Sequence, residues 1–461
     1  MDHRTVHRFV APALVTLLSL AGSSAHAQTT RPLSRISVDR EHRTLRTADG
    51  SPFIPFGVNY FRPDTGWAPQ LWKKFDPEVT RRDLDTIKRL GGNSVRVFIS
   101  FGSFYTTPGR LDPEGVARFD RFLELAEQAG LYVHPTGPDH WEGTPPWARG
   151  DRFADEQHLK ALEDFWRLFA GRYKDRPAIL AYDLLNEPHV PWTTPAIAAQ
   201  WQKRTGRTTA PDPKADPPDP QLLDYQRLRE EVAEQWTRRQ AAAIHAADPR
   251  ALVSVGLIQW SIPATRMSVS QYSGFRPARV APHLDFMEVH FYPLAAGAYR
   301  YESAEAEEQN LAYVESVARE AAKPGLPLVL AEFGWGGGAW KNLAKMPPQV
   351  ADENQAKWCA AMVRATRPLA CGWLNWGLYD TPEATDVSQG TGLLEYDGRE
   401  KPWARAFAEL AAEVRKSPSP SAEIGARPDL PWEACLTSPK AMEQFRLEYI
   451  AAFRRARQTI R

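Results

Sequence analysis

Short apolar runs recur eight times along this chain, most of them separated by stretches with helical spacing, and this alternation restricts the fold more than any other feature. A strand followed by a crossover helix returns the chain to pair in parallel, so repetition builds a parallel sheet covered by helices. The apolar runs cover residues 53–60, 93–99, 131–134, 179–185, 252–257, 286–292, 328–332 and 372–376. Helical periodicity marks residues 76–90 (Val79, Leu84, Ile87, Leu90), 115–129, 155–173, 222–247, 304–322, 353–366 and 407–414. Gly91-Gly92, Gly130 and Asp248-Pro249 supply stops. No Gly-x-Gly-x-x-Gly turn follows a strand, which argues against a doubly wound open sheet; eight units predict an α/β fold closed as a (β/α)8 TIM barrel. Residues 36–53 predict a short N-terminal β-hairpin turning at Asp49-Gly50.

The flanks read differently. Arg4 and Arg8 precede an apolar stretch at residues 10–21 and a small-residue site at Ala25-His26-Ala27, the pattern of a secretory signal peptide over residues 1–27. The run is shorter than the roughly 20 residues a membrane span needs, so cleavage after Ala27 and a secreted or periplasmic product are expected. Residues 28–415 then form the barrel domain, 416–432 a linker rich in Ser, Pro and Gly, and 433–461 a helical tail whose docking partner the sequence leaves open. Residues 206–220, dominated by Thr, Pro, Asp and Lys, predict a mobile surface insertion. With 57 basic against 56 acidic residues, nothing in the overall charge suits nucleic acid. Cys359, Cys371 and Cys435 lack metal-type spacing and permit at most one internal bridge, Cys359 to Cys371 being the pair left open. No metal or cofactor is expected.

In barrels of this kind, chemistry collects at the C-terminal strand ends. Those positions are unusually polar here. Strand two carries Arg96, strand three ends near His134 or His140-Trp141, strand four in Asn186-Glu187, strand six carries His290 and Tyr292, strand seven ends in Glu332, and strand eight in Trp373 and Trp376. Taken singly, each has a plainer reading: a strand histidine is often a hydrogen-bonded core residue, Arg96 pairs a core carboxylate, and Trp373 plugs the barrel. Two glutamates at the exits of two buried strands are what hydrolysis of a glycosidic bond requires.

The ordered set Asn-x-Val-Arg-Val (Asn93–Val97), Leu-Asn-Glu-Pro (Leu185–Pro188), His-Phe-Tyr (His290–Tyr292), Ala-Glu-Phe-Gly-Trp (Ala331–Trp335) and Gly-Trp-Leu-Asn-Trp (Gly372–Trp376) resembles glycoside hydrolase family 5, within the clan of retaining (β/α)8 glycosidases. The likeness runs over residues 53–407. It implies that Glu187 is the acid/base and Glu332 the nucleophile, that Asn186 holds the 2-hydroxyl, that Arg96 and Tyr292 steady Glu332, and that His290 tunes Glu187. Trp376 would stack under the sugar. Strand three departs from the pattern: His134 lies within the strand and His140 beyond it, and His140 is preferred because it lies at the mouth. Trp373 and Trp376 compete in the same way. The chemistry demands an ionised nucleophile and a protonated acid, and for retention carboxyls about 5 Å apart.

Trp67, Trp72, Trp141, Trp147, Trp192, Trp260, Trp335 and Trp340 fall in predicted mouth loops, as suits a cleft for several sugars, about half of them being expected to contact ligand. Family likeness leaves β-mannan, β-glucan and short β-glycosides open; Trp141-Glu142-Gly143 resembles the mannanase side of the family, and the expectation is an endo-acting β-1,4-mannanase or β-1,4-glucanase. If residues 191–220 close one end of the cleft, the action would be exo. A metal-dependent barrel hydrolase using His134, His140 and His290 lacks the His-x-His pair on strand one. A non-catalytic carbohydrate-binding barrel would not need both glutamates.

Overall fold

The structure, a computed structural model, describes residues 1, 32–65, 70–293, 304–341, 346–416, 420 and 424–459. The predicted signal peptide after Met1 and Trp67 lie outside the described residues.

Eight parallel strands close into one barrel. They are β1 (Phe56–Asn59), β2 (Ser94–Ser100), β3 (Tyr132–Asp139), β4 (Tyr182–Asn186), β5 (Val253–Leu257), β6 (Met287–Phe291), β7 (Leu328–Phe333) and β8 (Gly372–Asn375). Helices Pro77–Arg89, Pro113–Ala129, Glu156–Tyr173, Leu222–Ala247, Ala304–Ala322, Pro348–Thr366 and Pro402–Arg415 surround it. Their starts follow from capping: the Asp76 carboxylate accepts from Glu78 N and Val79 N, with Pro77 at the first helical position. Gly130, at φ 67°, takes the left-handed turn that ends Pro113–Ala129. Between β5 and β6, where the sequence shows no long helical period, the crossover holds only the short helix Pro277–Val280 and single turns.

The N-terminal hairpin has three strands rather than two: Ser37–Asp39, Thr44–Arg46 and Pro52–Phe53, antiparallel in that order. The chain reverses twice, at Arg43 (φ 50°) and again at Gly50 (φ 81°). Ile36, Leu45 and Phe53 from this sheet pack on Tyr132, Leu180, Leu252 and Phe286, which lie at or just before the starts of barrel strands. The sheet thus plugs the N-terminal end and leaves the other end for a site.

Residues 206–220, expected as a surface insertion, have partners within the segment and beside it. Arg207 donates to Asp219 and Gln221, and Trp201 Nε1 donates to Thr209 O (3.1 Å), so the polar composition is spent on internal partners. The tail helix Pro439–Thr459 packs on Ala304–Ala322 through Met442, Phe445, Tyr449 and Phe453. In the segment read as linker, Arg427 is buried and pairs with Glu315 (2.6 Å), which also accepts from Tyr449 OH (3.0 Å). All three cysteines are buried free thiols, so the bridge left open between Cys359 and Cys371 is not formed. No described helix is long and apolar enough to cross a membrane.

Candidate active site

β4 ends at Asn186, and Glu187 follows with φ 46°, a left-handed conformation unusual for a residue with a side chain. Its N–H donates to Gly256 O on β5 (2.9 Å), which fixes the turn. Across the mouth, Glu332 on β7 is 3% exposed. Arg96 Nη1 donates to its Oε1 (2.6 Å) and Tyr292 OH to its Oε2 (2.9 Å). His290, fully buried on β6, stands between the glutamates with Nδ1 3.2 Å from Glu187 Oε1 and 3.5 Å from Glu332 Oε1. Carboxylate oxygens of the two glutamates lie within 4.8 Å of one another.

Arg96 is the hub beneath them. Its guanidinium is fully buried and donates to Asn59, Glu332, Thr136, Asp183 and Asn186. It therefore holds Glu332 from behind and does not face the cleft. One layer down, His134 Nε2 meets Glu288 Oε1 (2.5 Å) and its Nδ1 meets Ala181 O (3.0 Å), so His134 is a barrel-core residue. His140 lies at the rim, its Nδ1 2.6 Å from Asp139 Oδ1 and its ring 4.4 Å from that of Trp141. Both border a cavity of about 390 Å³ with Arg152, Asn186, Glu187 and His189.

The two competing tryptophans separate cleanly. Trp373 turns outward: Nε1 donates to Thr366 Oγ1 (2.9 Å) at the end of an outer helix, and the ring packs toward Phe56. It is removed from the site. Trp376 is held at the mouth by Nε1 donating to Ser388 Oγ (2.7 Å) and by Phe61 and Phe98. Among the other predicted mouth tryptophans, Trp72, Trp335 and Trp340 are core, whereas Trp141, Trp147, Trp192 and Trp260 keep partial exposure.

The electrostatics separate the carboxyls. Burial raises Glu187 well above the ordinary range, the charge of Glu332 pushes it further, and Arg96 opposes both. Glu332 is raised less, to about 7, because the Arg96 charge and the Tyr292 and Arg96 hydrogen bonds oppose the effect of burial. One proton shared by the pair accordingly rests on Glu187. Burial, then Arg96 and His134, hold His290 well below its usual value, so its imidazole is neutral.

Stability carries the same signature. A carboxyl raised on folding contributes stability that is present below its unfolded value near 4.5 and lost as pH climbs through the folded value. Glu187→Gln, which does not titrate, is expected to match the wild-type melting temperature at pH 4 and exceed it at pH 8. Melting curves at both pH values check this, and an equal offset at both would refute it.

Two sets of three donors converge within 4.8 Å, Glu187–His290–Glu332 and His134–Asp183–Glu288. In each, one carboxylate already holds the Arg96 guanidinium, a fixed cation where a metal would have to bind.

Residues 47–381 match the family model described as cellulase (glycosyl hydrolase family 5). The chain belongs to glycoside hydrolase family 5. Endoglucanase C of Acetivibrio thermocellus is 26% identical over 149 residues, 30% of this chain and 41% of that protein. This chain thus aligns with less than half the length of that curated relative. Among solved structures, an exo-beta-1,4-mannosidase from Opitutaceae bacterium strain TAV5 is 22% identical with TM-score 0.63, covering 82% of this chain and 62% of that one. A family 5 enzyme of Streptomyces cattleya in complex with Manβ1-4GlcNAc is 24% identical with TM-score 0.63, covering 87% and 93%. At these identities the solved structures speak to the fold.

Within this family 5 barrel, the sequence reading missed Asn59, Asp183, Glu288 and Gly256. Asp183 had a signal: a carboxylate inside an otherwise apolar strand must find a cation, and Arg96 is that cation, at 2.7 Å.

Proposed function

We propose that this chain hydrolyses β-1,4-linked mannan or glucan with retention at the anomeric carbon. The observation that carries the proposal is the spacing of the two glutamates, whose oxygens lie within 4.8 Å. Retaining pairs stand about 5 Å apart, whereas inverting pairs need about 6.5–9.5 Å to admit a water. Their partners divide the work. Glu332, held ionised by Arg96 and Tyr292, attacks the anomeric carbon as the glycosidic C–O bond breaks, while Glu187 gives its proton to the leaving oxygen. In the second half, Glu187 takes a proton from water, and the hydroxide oxygen displaces Glu332.

In this reading Asn186 binds the 2-hydroxyl and Trp376 the sugar face, while His140 and Trp141, which border one cavity with Asn186 and Glu187, bind substrate beside the acid. A second reading, exo action, is favoured by the folded insertion, whose first residue Pro191 borders the same cavity. Export by the N-terminal signal belongs to the proposal.

The test is product analysis on β-mannan, mixed-linkage β-glucan, carboxymethyl-cellulose, xylan and aryl β-glycosides, with the first-formed anomer read by proton NMR. Mixed oligosaccharides with new β-ends are expected. One small sugar alone would favour the exo reading. An α-product formed first would exclude retention.

A further inference from the structure

His290 uses one nitrogen on both glutamates, and its buried Nε2 has no hydrogen-bond partner among the described residues. Opposite Nε2 stands Gly256, next to the last residue of β5. A Cβ on Gly256 would lie 2.8 Å from His290 Nε2, 2.9 Å from its Cε1 and 3.0 Å from Asp183 Oδ2, distances that side-chain carbons do not tolerate. Gly256 does not have a left-handed φ, so its backbone does not call for glycine. The requirement is space: the imidazole occupies the volume that any other side chain would fill. The same residue accepts from Glu187 N (2.9 Å) and donates to Asp183 Oδ1 (2.8 Å), so it touches the backbone of the acid and the counter-ion of Arg96.

The position of the ring also bears on its proton. A bare Nδ1 would set its lone pair 3.5 Å from the ionised Oε1 of Glu332, whereas an N–H there hydrogen-bonds Glu187 Oε1 at 3.2 Å and is attracted by the Glu332 charge. Building on the hydrolase reading above, we propose that Gly256 is a positioning residue for the acid: it leaves room for His290 to stand with Nδ1 protonated and donating to Glu187 Oε1, so that the proton Glu187 delivers rests on its Oε2. Glu187 is then aimed as well as protonated. No partner residue or cofactor is involved.

The test is a double-mutant cycle with Gly256→Ala and His290→Ala on the full chain, read with two aryl β-glycosides of the sugar that the wild type accepts. A phenyl leaving group needs the proton and a 2,4-dinitrophenyl group does not. Gly256→Ala is expected to lose about tenfold or more in kcat/KM on the phenyl glycoside, and less than about twofold on the dinitrophenyl one. In the His290→Ala background, where the ring is gone, adding Gly256→Ala is expected to change nothing further. Equal losses on both leaving groups, or additive losses in the cycle, would overturn the proposal, because Gly256 would then act on the barrel and not through His290. Neutron diffraction from the deuterated wild type needs no variant: deuterium on Nδ1 supports the proposal, and deuterium on Nε2 with Nδ1 bare overturns it. A wild type silent on every aryl glycoside would sink the hydrolase reading instead, and the neutron map would still report His290.

Discussion

Glu332→Ala is expected to end turnover, with kcat falling by about 10⁶-fold, the scale seen when a covalent nucleophile is removed. The variant should still fold, because Arg96 keeps Asp183 as its counter-ion at 2.7 Å and Asn59, Thr136 and Asn186 as further acceptors. Removal of the carboxylate leaves a pocket beside the anomeric carbon, with Tyr292 OH and Arg96 Nη1 still pointing into it. Azide, a small anion, fits both the space and the charge. With a dinitrophenyl β-glycoside it is expected to restore turnover and yield the α-glycosyl azide, since a single displacement inverts the centre. Hydrolysis that survives at the wild-type rate would remove Glu332 from the chemistry. Rescue giving a β-azide would move the nucleophile elsewhere.

The second large effect is expected at Arg96. Arg96→Met leaves Asp183 and Glu332 buried without the cation they share, and losing one partner of a buried pair costs about 3–5 kcal/mol. Denaturant unfolding measures that loss. The pH profile should also move: Arg96 lowers Glu332, so without it the nucleophile stays protonated to higher pH and the acidic limb of kcat/KM shifts upward. Lysine is not expected to rescue either property. One ammonium cannot reproduce bonds from Nε, Nη1 and Nη2 to five side chains. An unmoved acidic limb would show that Tyr292 alone governs Glu332.

The barrel was legible in the sequence, and so was the place of Glu332 and Arg96 on its strands, because parallel strands buried on two faces read as apolar runs and their polar residues stand out. What was not legible is which way a side chain points near a strand end. Alternation would put Glu332 on the face opposite to its neighbour Ala331, yet the pairing of β7 with β6 slips between Leu330 and Glu332 and resets the count. A similar slip separates Asp183 from Asn186 on β4. With the parity reset at the mouth, the sequence could not choose between Trp373 and Trp376, and it preferred His140 to His134 only from its place beyond the strand. Gly256 was silent for another reason: its contribution is an empty volume, and only the position of the His290 ring gives that volume a meaning.

The left-handed backbone at Glu187 bears on the evolution of the barrel. A side chain held at φ 46° costs about 1–2 kcal/mol, and glycine relieves that strain. Glu187→Gly also removes a partly buried carboxyl that resists ionisation. The change that silences the acid is therefore one the backbone accommodates without strain. The relieved strain offsets the entropy that glycine adds to the unfolded chain, so selection for turnover, more than folding, holds a glutamate at this position.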